Sequence, residues 1–470
     1  LKVVGRAGVG VDNIALDAAT ALGVAVINAP AGNTIAVAEL FFGAAISLLR
    51  HLPQAVTSMQ AGRWDRSKLL GSELKGRTLG IVGLGRIGSE VAIRARAFGM
   101  SLVGYDPYVG DERFQSLHVQ RAATLDALLA VADVLTVHTP LTDETKGMIG
   151  RRELAKLPSG AIVANLARGG IIDEDALVAA LTAGELRGAL IDVYVAEPLR
   201  ADHPLRSAPN VILTPHIGAS TGEAQRNVAV DVCVAVRDAL LRGELSRSIN
   251  VAEVSGLQWE ALQPGLFVAR RAAAIARALL ANRGVRATRR LVVRSGPALV
   301  GGSGALLAAA AMGALEGVLD VDRLNLINAR ALAEAHGLEL SVAESSQLEH
   351  PSAVEVTLSG GMESITIAGV AATGMAPRIT RIGSFHVDVT PRQTLIVLTN
   401  HDVPGVIGRV GTLLGTAGVN IAEYHQARLL QGGEALAAIS VDGVVSEELR
   451  RSLLELPDVL SAAIVNFRGS

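Results

Sequence analysis

The chain lacks most of what would tie it to an oxidising compartment, a polyanion or a bilayer. It has one cysteine, Cys233, in 470 residues. A disulfide framework is therefore excluded, a thiolate metal centre is not expected, and a reducing, cytoplasmic setting is the default. Aromatic residues make up 3%, too few for a base-stacking platform. The net charge is −2, which provides no field for nucleic acid or an acidic membrane surface. Lysine is confined to Lys2, Lys68, Lys75, Lys146 and Lys156, so arginine carries most of the positive charge. The apolar run "GALLAAAAMGALEGVL" (304–319) is interrupted by glycine and glutamate and reads as too short to span a bilayer. The amphipathic stretch "NVAVDVCVAVRDALL" places the Cys233 thiol in core packing. The chain begins at Leu1 inside a strand and glycine turn, so further residues are expected to precede it.

Half of the residues are hydrophobic, enough for large cores and, by length, about three domains. Residues 1–30 read strand, helix, strand. A helix is expected over 33–52, with Asn33 or Thr34 as N-cap, followed by a polar loop, "QAGRWDRSKLLGSEL". From residue 78, short continuous apolar strands alternate with helices: "TLGIVGL", "SLVGYD", "DVLTVHTP", "AIVANLA", "GALIDVY" and "VILTPH". That pattern predicts a Rossmann-type, doubly wound parallel sheet covered on both faces. Residues 221–244 read as a long amphipathic helix, and 251–385 as an α/β region poor in catalytic side chains. Beyond 393 the order is β-α-β-β-α-β, the ferredoxin-like pattern.

Within the first crossover lies G-x-G-x-x-G at Gly83, Gly85 and Gly88. Gly83 permits a tight turn, Gly85 lets backbone approach a pyrophosphate, and Gly88 lets helix and strand pack. The helix starting at Arg86 and Ile87 offers free N–H groups to the anion. Asp106 ends the next strand, where a carboxylate binds a ribose diol. Pro107 rather than arginine follows it, which favours NAD over NADP. Three further groups follow later strands: Arg168, Glu197 and His216. Ligands collect at that edge of an open α/β sheet. A histidine moves a proton near neutral pH, a carboxylate orients it, and an arginine fork clamps a carboxylate or carbonyl oxygen. Gly169 and Gly170 would clear space for the ligand, and Asp192 could hold a carboxamide. Taken singly, each of these has an ordinary structural reading; their joint placement is what points to chemistry.

"GRAGVGVDNI", "GLGRIG", "NLARGG", "DVYVAEP" and "TPHIGAS" together resemble the D-isomer-specific 2-hydroxyacid dehydrogenases over residues 1–250. The remainder is similar to a long type of that family, in which an intervening domain and an ACT domain follow the catalytic core. The resemblance implies a partial flavodoxin-like substrate domain at 1–31 completed by 218–247, an NAD-binding domain at 32–217, an intervening domain at 248–390 and an ACT domain at 391–470. It implies NAD-dependent oxidation of 3-phosphoglycerate at C2, the first step of L-serine biosynthesis. The alternatives are another 2-hydroxy acid, such as the product of 2-oxoglutarate reduction, or an NADH-sensing regulator. Arg168 would hold the substrate, with Arg6, Gly8, Gly10 and Asn33 beside it, while Glu197 and His216 would handle the proton. Val9, Thr139, Leu166, Ala167, Asp192, His216, Gly218 and Ala219 would line the cofactor together with the glycine loop. The family's substrate domain starts upstream of Leu1, so basic residues for a phosphate are expected outside this sequence. In "HDVPGVIGRVGTLL", Asp402 would suit the ammonium of a serine effector, Gly405 and Gly408 its close approach, and Asn420 its polar groups. Small sheets of this kind leave edge strands to be paired, often across subunits; the resemblance implies a homotetramer, with serine bound between paired domains. Arg381, His386 and Arg392 form either an anion patch or a solvated hinge.

Overall fold

Alternation of apolar strands with helices produces the expected parallel sheet in the computed structural model, which describes all residues except 12, 252–258, 319–323, 344–347, 349, 373 and 468–470. Asp12 of the glycine-turn motif and Leu319 of the apolar run thus lie outside the described residues. The chain divides into two compact units. One comprises Ala7–Gly10 and Ala29–Cys233, the other Leu1–Arg6, Val11–Asn28 and Val234–Ser470.

The first of these holds seven strands: β1 (Thr78–Val82), β2 (Ser101–Tyr105), β3 (Gln120–Arg121), β4 (Val134–Val137), β5 (Ala161–Asn165), β6 (Leu186–Ile191) and β7 (Val211–Leu213). Their order is β3-β2-β1-β4-β5-β6-β7 and every pairing is parallel. Successive side chains point to opposite faces. Val134, Ile162 and Leu190 accordingly enter one core, whereas Leu135, Val163 and Ile191 enter the other. Each such buried side chain contributes roughly 1.5–3 kcal/mol. All strands run one way, so the loops after β1, β2, β4, β5, β6 and β7 leave from a single edge.

The helix expected over 33–52 stops at Leu49. His51 takes a left-handed φ of 50°, and a second helix, Leu52–Gln60, leaves at 63° to the first. Pro53 explains the break, because its ring would clash with the carbonyl of Leu49 in a continuous helix. Asn33 occupies the N-cap position, but its side chain makes no capping bond. Cys233 is exposed rather than in the core, on the outer face of the helix Gly222–Arg242.

In the other unit, the strands Val3–Arg6 and Ala25–Asn28 pair in parallel. They are stitched to residues 248–250: the Ile249 N–H donates to the Val26 carbonyl, and the Val26 N–H donates to Asn250 Oδ1. A six-stranded mixed sheet follows, backed by the helices Trp259–Asn282 and Ser303–Leu315. The stretch Pro297–Leu315 spans 19 residues and is apolar enough to cross a membrane by length and composition, which corrects the expectation that it is too short. It is 72% buried inside the chain, and packing against protein accounts for its apolarity. The C-terminal strands are ordered Ile421–Arg428, Glu434–Val441, Thr394–His401, Val459–Asn466, and all pair antiparallel. They form the ferredoxin-like sheet. Leu395, Val397, Ala463 and Phe467 share one core with the preceding region.

Candidate active site

The glycine loop is shaped by close approach of backbone to backbone. Gly83 has φ +91°, and a Cβ there would lie 2.7 Å from the His138 carbonyl oxygen. At Gly88 a Cβ would lie 2.0 Å from the oxygen of Gly83, so any side chain would push helix and strand apart. Beside Gly85 nothing lies within 4 Å, which leaves its backbone open at the N-terminus of the helix Arg86–Ala97. Asp106 holds the loop in place, accepting the Leu84 N–H at 2.9 Å through one oxygen and the Tyr108 N–H at 2.9 Å through the other. Gly83, Gly85, Asp106, His138 and Thr139 line one cavity of about 640 Å³. Thr139 Oγ1 is buried there without a hydrogen-bond partner. An open anion cradle, a carboxylate for a diol and an orphaned hydroxyl fit a dinucleotide. His138, overlooked in the sequence, closes the same wall. Burial pushes its imidazole down to about 4, with Nε2 3.0 Å from Thr136 Oγ1.

Glu197 and His216 are brought together. His216 Nδ1 donates to Glu197 Oε2 at 2.7 Å, and the Tyr194 N–H donates to Glu197 Oε1 at 3.0 Å. The other ring nitrogen of His216 is left for a substrate. Both line a cavity of about 650 Å³ with Tyr194, Arg206 and Thr214. His216 adopts φ 53°, a left-handed conformation that costs a non-glycine residue about 1–3 kcal/mol. Asp192 over-determines it. This buried carboxylate accepts the Thr214 hydroxyl at 2.5 Å, the Ile217 N–H at 2.8 Å and the Gly218 N–H at 2.8 Å. Its oxygens thus organise the turn that carries His216.

Arg168 follows β5 half-buried, and Nη1 donates to the Ala167 carbonyl at 2.7 Å. Asn165 shapes this loop from below: Nδ2 donates to the Arg168 carbonyl, and Oδ1 accepts the Ala167 N–H. Gly169 clears space for backbone rather than for a ligand, since a Cβ there would lie 1.9 Å from the Tyr194 oxygen. Tyr194 in turn donates from its hydroxyl to the carbonyls of Ile191 and Thr214. Burial first, then the Asp192 charge, pushes that phenol up to about 12. The loops after β5, β6 and β7 are therefore interlocked. Asn165, Tyr194 and Arg206 escaped sequence reasoning because they act on main-chain groups. The one available signal was a polar residue closing the apolar strand "AIVAN".

Other expected residues are placed differently. Leu166 and Ala167 bury their side chains in the two cores, so only their backbone can face a cofactor. Gly8, Val9, Gly10 and Asn33 belong to the unit with the parallel sheet, and Arg6 to the other. Asn33 Oδ1 is buried without a partner. Asp402 is already engaged, accepting from Arg428 Nη1 at 3.1 Å and the Gly432 N–H at 3.3 Å. Gly405 caps the helix Val406–Thr416 at φ 92°. Asn420 donates to Asp442 at 2.7 Å. Strand register puts Ile421 level with Thr394 and Arg428 level with Asn400, so Asp402 and Asn420 sit at opposite ends of the sheet. Arg381 and His386 face each other across a strand pair, but Arg381 is tied to Glu355.

A dinucleotide crossover next to a strand-end arginine and a carboxylate–imidazole pair defines a nicotinamide-dependent oxidoreductase of carbon–hydroxyl groups. Residues 42–218 match the family model "D-isomer specific 2-hydroxyacid dehydrogenase, NAD binding domain". The chain is similar to the D-3-phosphoglycerate dehydrogenase of Methanocaldococcus jannaschii, 37% identical over 99% of this chain and 88% of that one. It is also similar to the Bacillus subtilis enzyme of the same name, at 38% identity with the same coverage. A solved glyoxylate reductase from Paecilomyes thermophila matches at 37% identity and a TM-score of 0.50, covering 53% of this chain and 75% of that one. The chain belongs to the D-isomer specific 2-hydroxyacid dehydrogenases and, within them, to the D-3-phosphoglycerate dehydrogenase family.

Proposed function

We propose that the chain oxidises D-3-phosphoglycerate to 3-phosphohydroxypyruvate with NAD, the first step of L-serine biosynthesis, under regulation by L-serine. The observation that carries the reading is the Glu197–His216 pair opening onto a cavity at the strand-end edge, in a chain similar along 99% of its length to enzymes named for that substrate. Bound NAD would supply the acceptor for the hydride from C2. His216 Nε2 accepts the C2 hydroxyl proton, and Glu197 stabilises the imidazolium that forms. Arg168 holds the carboxylate and the developing carbonyl in a planar fork. Gly83, Gly85, Gly88 and the helix N-terminus at Arg86 and Ile87 would carry the pyrophosphate, and Asp106 the adenosine ribose. Thr139, Asp192, Gly218 and Ala219 would face the nicotinamide from the same edge. Gly8, Gly10 and Asn33 would complete the substrate side, and Val9 would meet the cofactor.

In this reading 1–31 with 218–247 is a partial substrate domain, 32–217 the NAD domain, 248–390 the intervening domain and 391–470 the ACT domain. The opposite placement of Asp402 and Asn420 supports a serine site shared by two copies; the assembly in this reading is a homotetramer and its setting the cytoplasm. A competing reading is reduction of a smaller 2-keto acid, which the glyoxylate reductase neighbour favours. A two-substrate assay separates them. NAD-dependent turnover of D-3-phosphoglycerate well above that of glycolate or 2-hydroxyglutarate is expected; the reverse preference overturns the assignment. Serine should give binding heat and inhibit, and absence of both removes the regulatory claim.

A further inference from the structure

Glu197 rides on a segment that no core holds. Val195, Ala196, Glu197 and Pro198 are all exposed, Val195 to 67%. Apolar burial therefore does not fix where the Glu197 carboxylate sits. Main-chain bonds to carboxylates do. One is made by Glu197 itself, which accepts the Tyr194 N–H. The other comes from a different element: Glu174 Oε1 accepts the Val195 N–H at 2.7 Å.

Glu174 opens the helix Glu174–Thr182, directly after the N-cap Asp173, in the segment that follows Arg168 and its two glycines. Its second oxygen is engaged as well, 3.2 Å from His203 Nε2, in a pair whose side chains are 15% and 17% exposed. His203 Nδ1 accepts the Leu205 N–H at 3.3 Å. That leaves the hydrogen on Nε2, where it donates to Glu174. The carboxylate is thus pinned through one oxygen and pins Val195 through the other.

We propose that Glu174 is a positioning residue for the dehydrogenase reaction. Held by His203, it fixes the backbone at Val195 and so sets the Glu197 carboxylate against His216, linking the Arg168 loop to the proton-transfer pair. The inference rests on the reading of Glu197 and His216 given above. It assigns no chemical step to Glu174 itself.

Two conservative replacements separate this role from a purely structural one. Glu174→Asp keeps the charge that helix N-termini favour, but it shortens the reach by one methylene and gives up Val195. Glu174→Gln keeps an acceptor oxygen for that N–H but loses the charge and the bond from His203, because its amide NH2 would face the hydrogen on His203 Nε2. The full chain is assayed with NAD and whichever 2-hydroxy acid the parent protein oxidises best, so a wrong substrate assignment shows separately in the parent. A displacement of about 1 Å at a reacting pair can cost up to ~100-fold. We expect Glu174→Asp to lose about 10–100-fold in kcat with KM for NAD unchanged, and Glu174→Gln to keep at least about a third of kcat because its acceptor remains. In a Glu197→Gln background, Glu174→Asp should add nothing further. Hydrogen exchange over 194–199 needs no turnover, and it should speed up in Glu174→Asp but not in Glu174→Gln. The proposal is overturned if Asp is tolerated better than Gln, if the loss persists undiminished in the Glu197→Gln background, or if exchange over 194–199 is the same in all three proteins.

Discussion

In the parallel sheet the loops after β2, β4, β5, β6 and β7 leave from one edge. Residues as distant in sequence as Asp106, Arg168 and His216 are therefore delivered to one side by topology alone. The C-terminal sheet is antiparallel, and its loops alternate between two ends. Asp402 follows its strand at one end; Asn420 precedes its strand at the other. A strand of eight residues spans about 25 Å at 3.2–3.4 Å per residue, too far for one small ligand to touch both. A parallel sheet can build a complete site from one chain. In an antiparallel sheet of this size, an effector site that used both Asp402 and Asn420 would need a second copy to bring the opposite end alongside.

The largest effect belongs to the assembled edge. His216→Ala removes the proton acceptor while leaving the glycine loop and Asp106 intact. Turnover should fall about 10³-fold, in the range for a lost general base, with NADH binding nearly unchanged by fluorescence titration. Retention of turnover within tenfold would falsify the role given to His216.

Next comes the pH dependence of stability, read by urea unfolding. The buried His138 imidazole lies at about 4 in the folded chain and near 6.5 when unfolded. Unfolding therefore takes up a proton between those values. The contribution is fully present above pH 6.5, falls as pH drops toward 4, and loses nothing more below. The total is on the order of 3 kcal/mol. His138→Gln should flatten the slope in that window relative to the parent. Equal slopes would mean that the ring is solvated. Apart from the Thr136 contact, nothing in the sequence "TVHTP" marks this histidine as buried and neutral.

That example shows where sequence reasoning stops. The glycine loop, Asp106, Arg168 and the Glu197–His216 pair were legible because their side chains carry chemistry at strand ends. Asn165, Tyr194, Asp192 in its observed role and Glu174 were not. They bind main-chain N–H and carbonyl groups, which every residue possesses and no spacing reveals. The break at His51 was hidden by a continuous helical pattern, although Pro53 was there to signal it. Cys233 was misplaced because one amphipathic stretch does not say where the buried stripe ends.

A third test strikes the interlock itself. Gly169→Ala puts a methyl 1.9 Å from the Tyr194 main-chain carbonyl oxygen, so the segment leading to Glu197 must move. We expect kcat to drop about 10–100-fold and thermal stability to fall with it. An unchanged kcat would show that the loops after β5 and β6 adjust independently.

The smallest effect on the basal enzyme, and the one that bears most on the half-site argument, is Asn420→Ala. Asn420 is exposed and its hydrogen bond goes to Asp442, so stability should change by only about 0.5 kcal/mol. Basal turnover should stay the same, because Asn420 lies in a different unit from Glu197 and His216. Serine inhibition, however, should disappear. Mixing Asn420→Ala with Asp402→Ala chains then gives the decisive readout. If one site takes Asp402 from one copy and Asn420 from the other, a mixed pair keeps one intact site of its two, and part of the serine response returns. If each chain carries a whole site, the mixture is as unresponsive as either parent. The second result would mean that antiparallel topology, despite the distance across the strands, does not divide the effector site between copies.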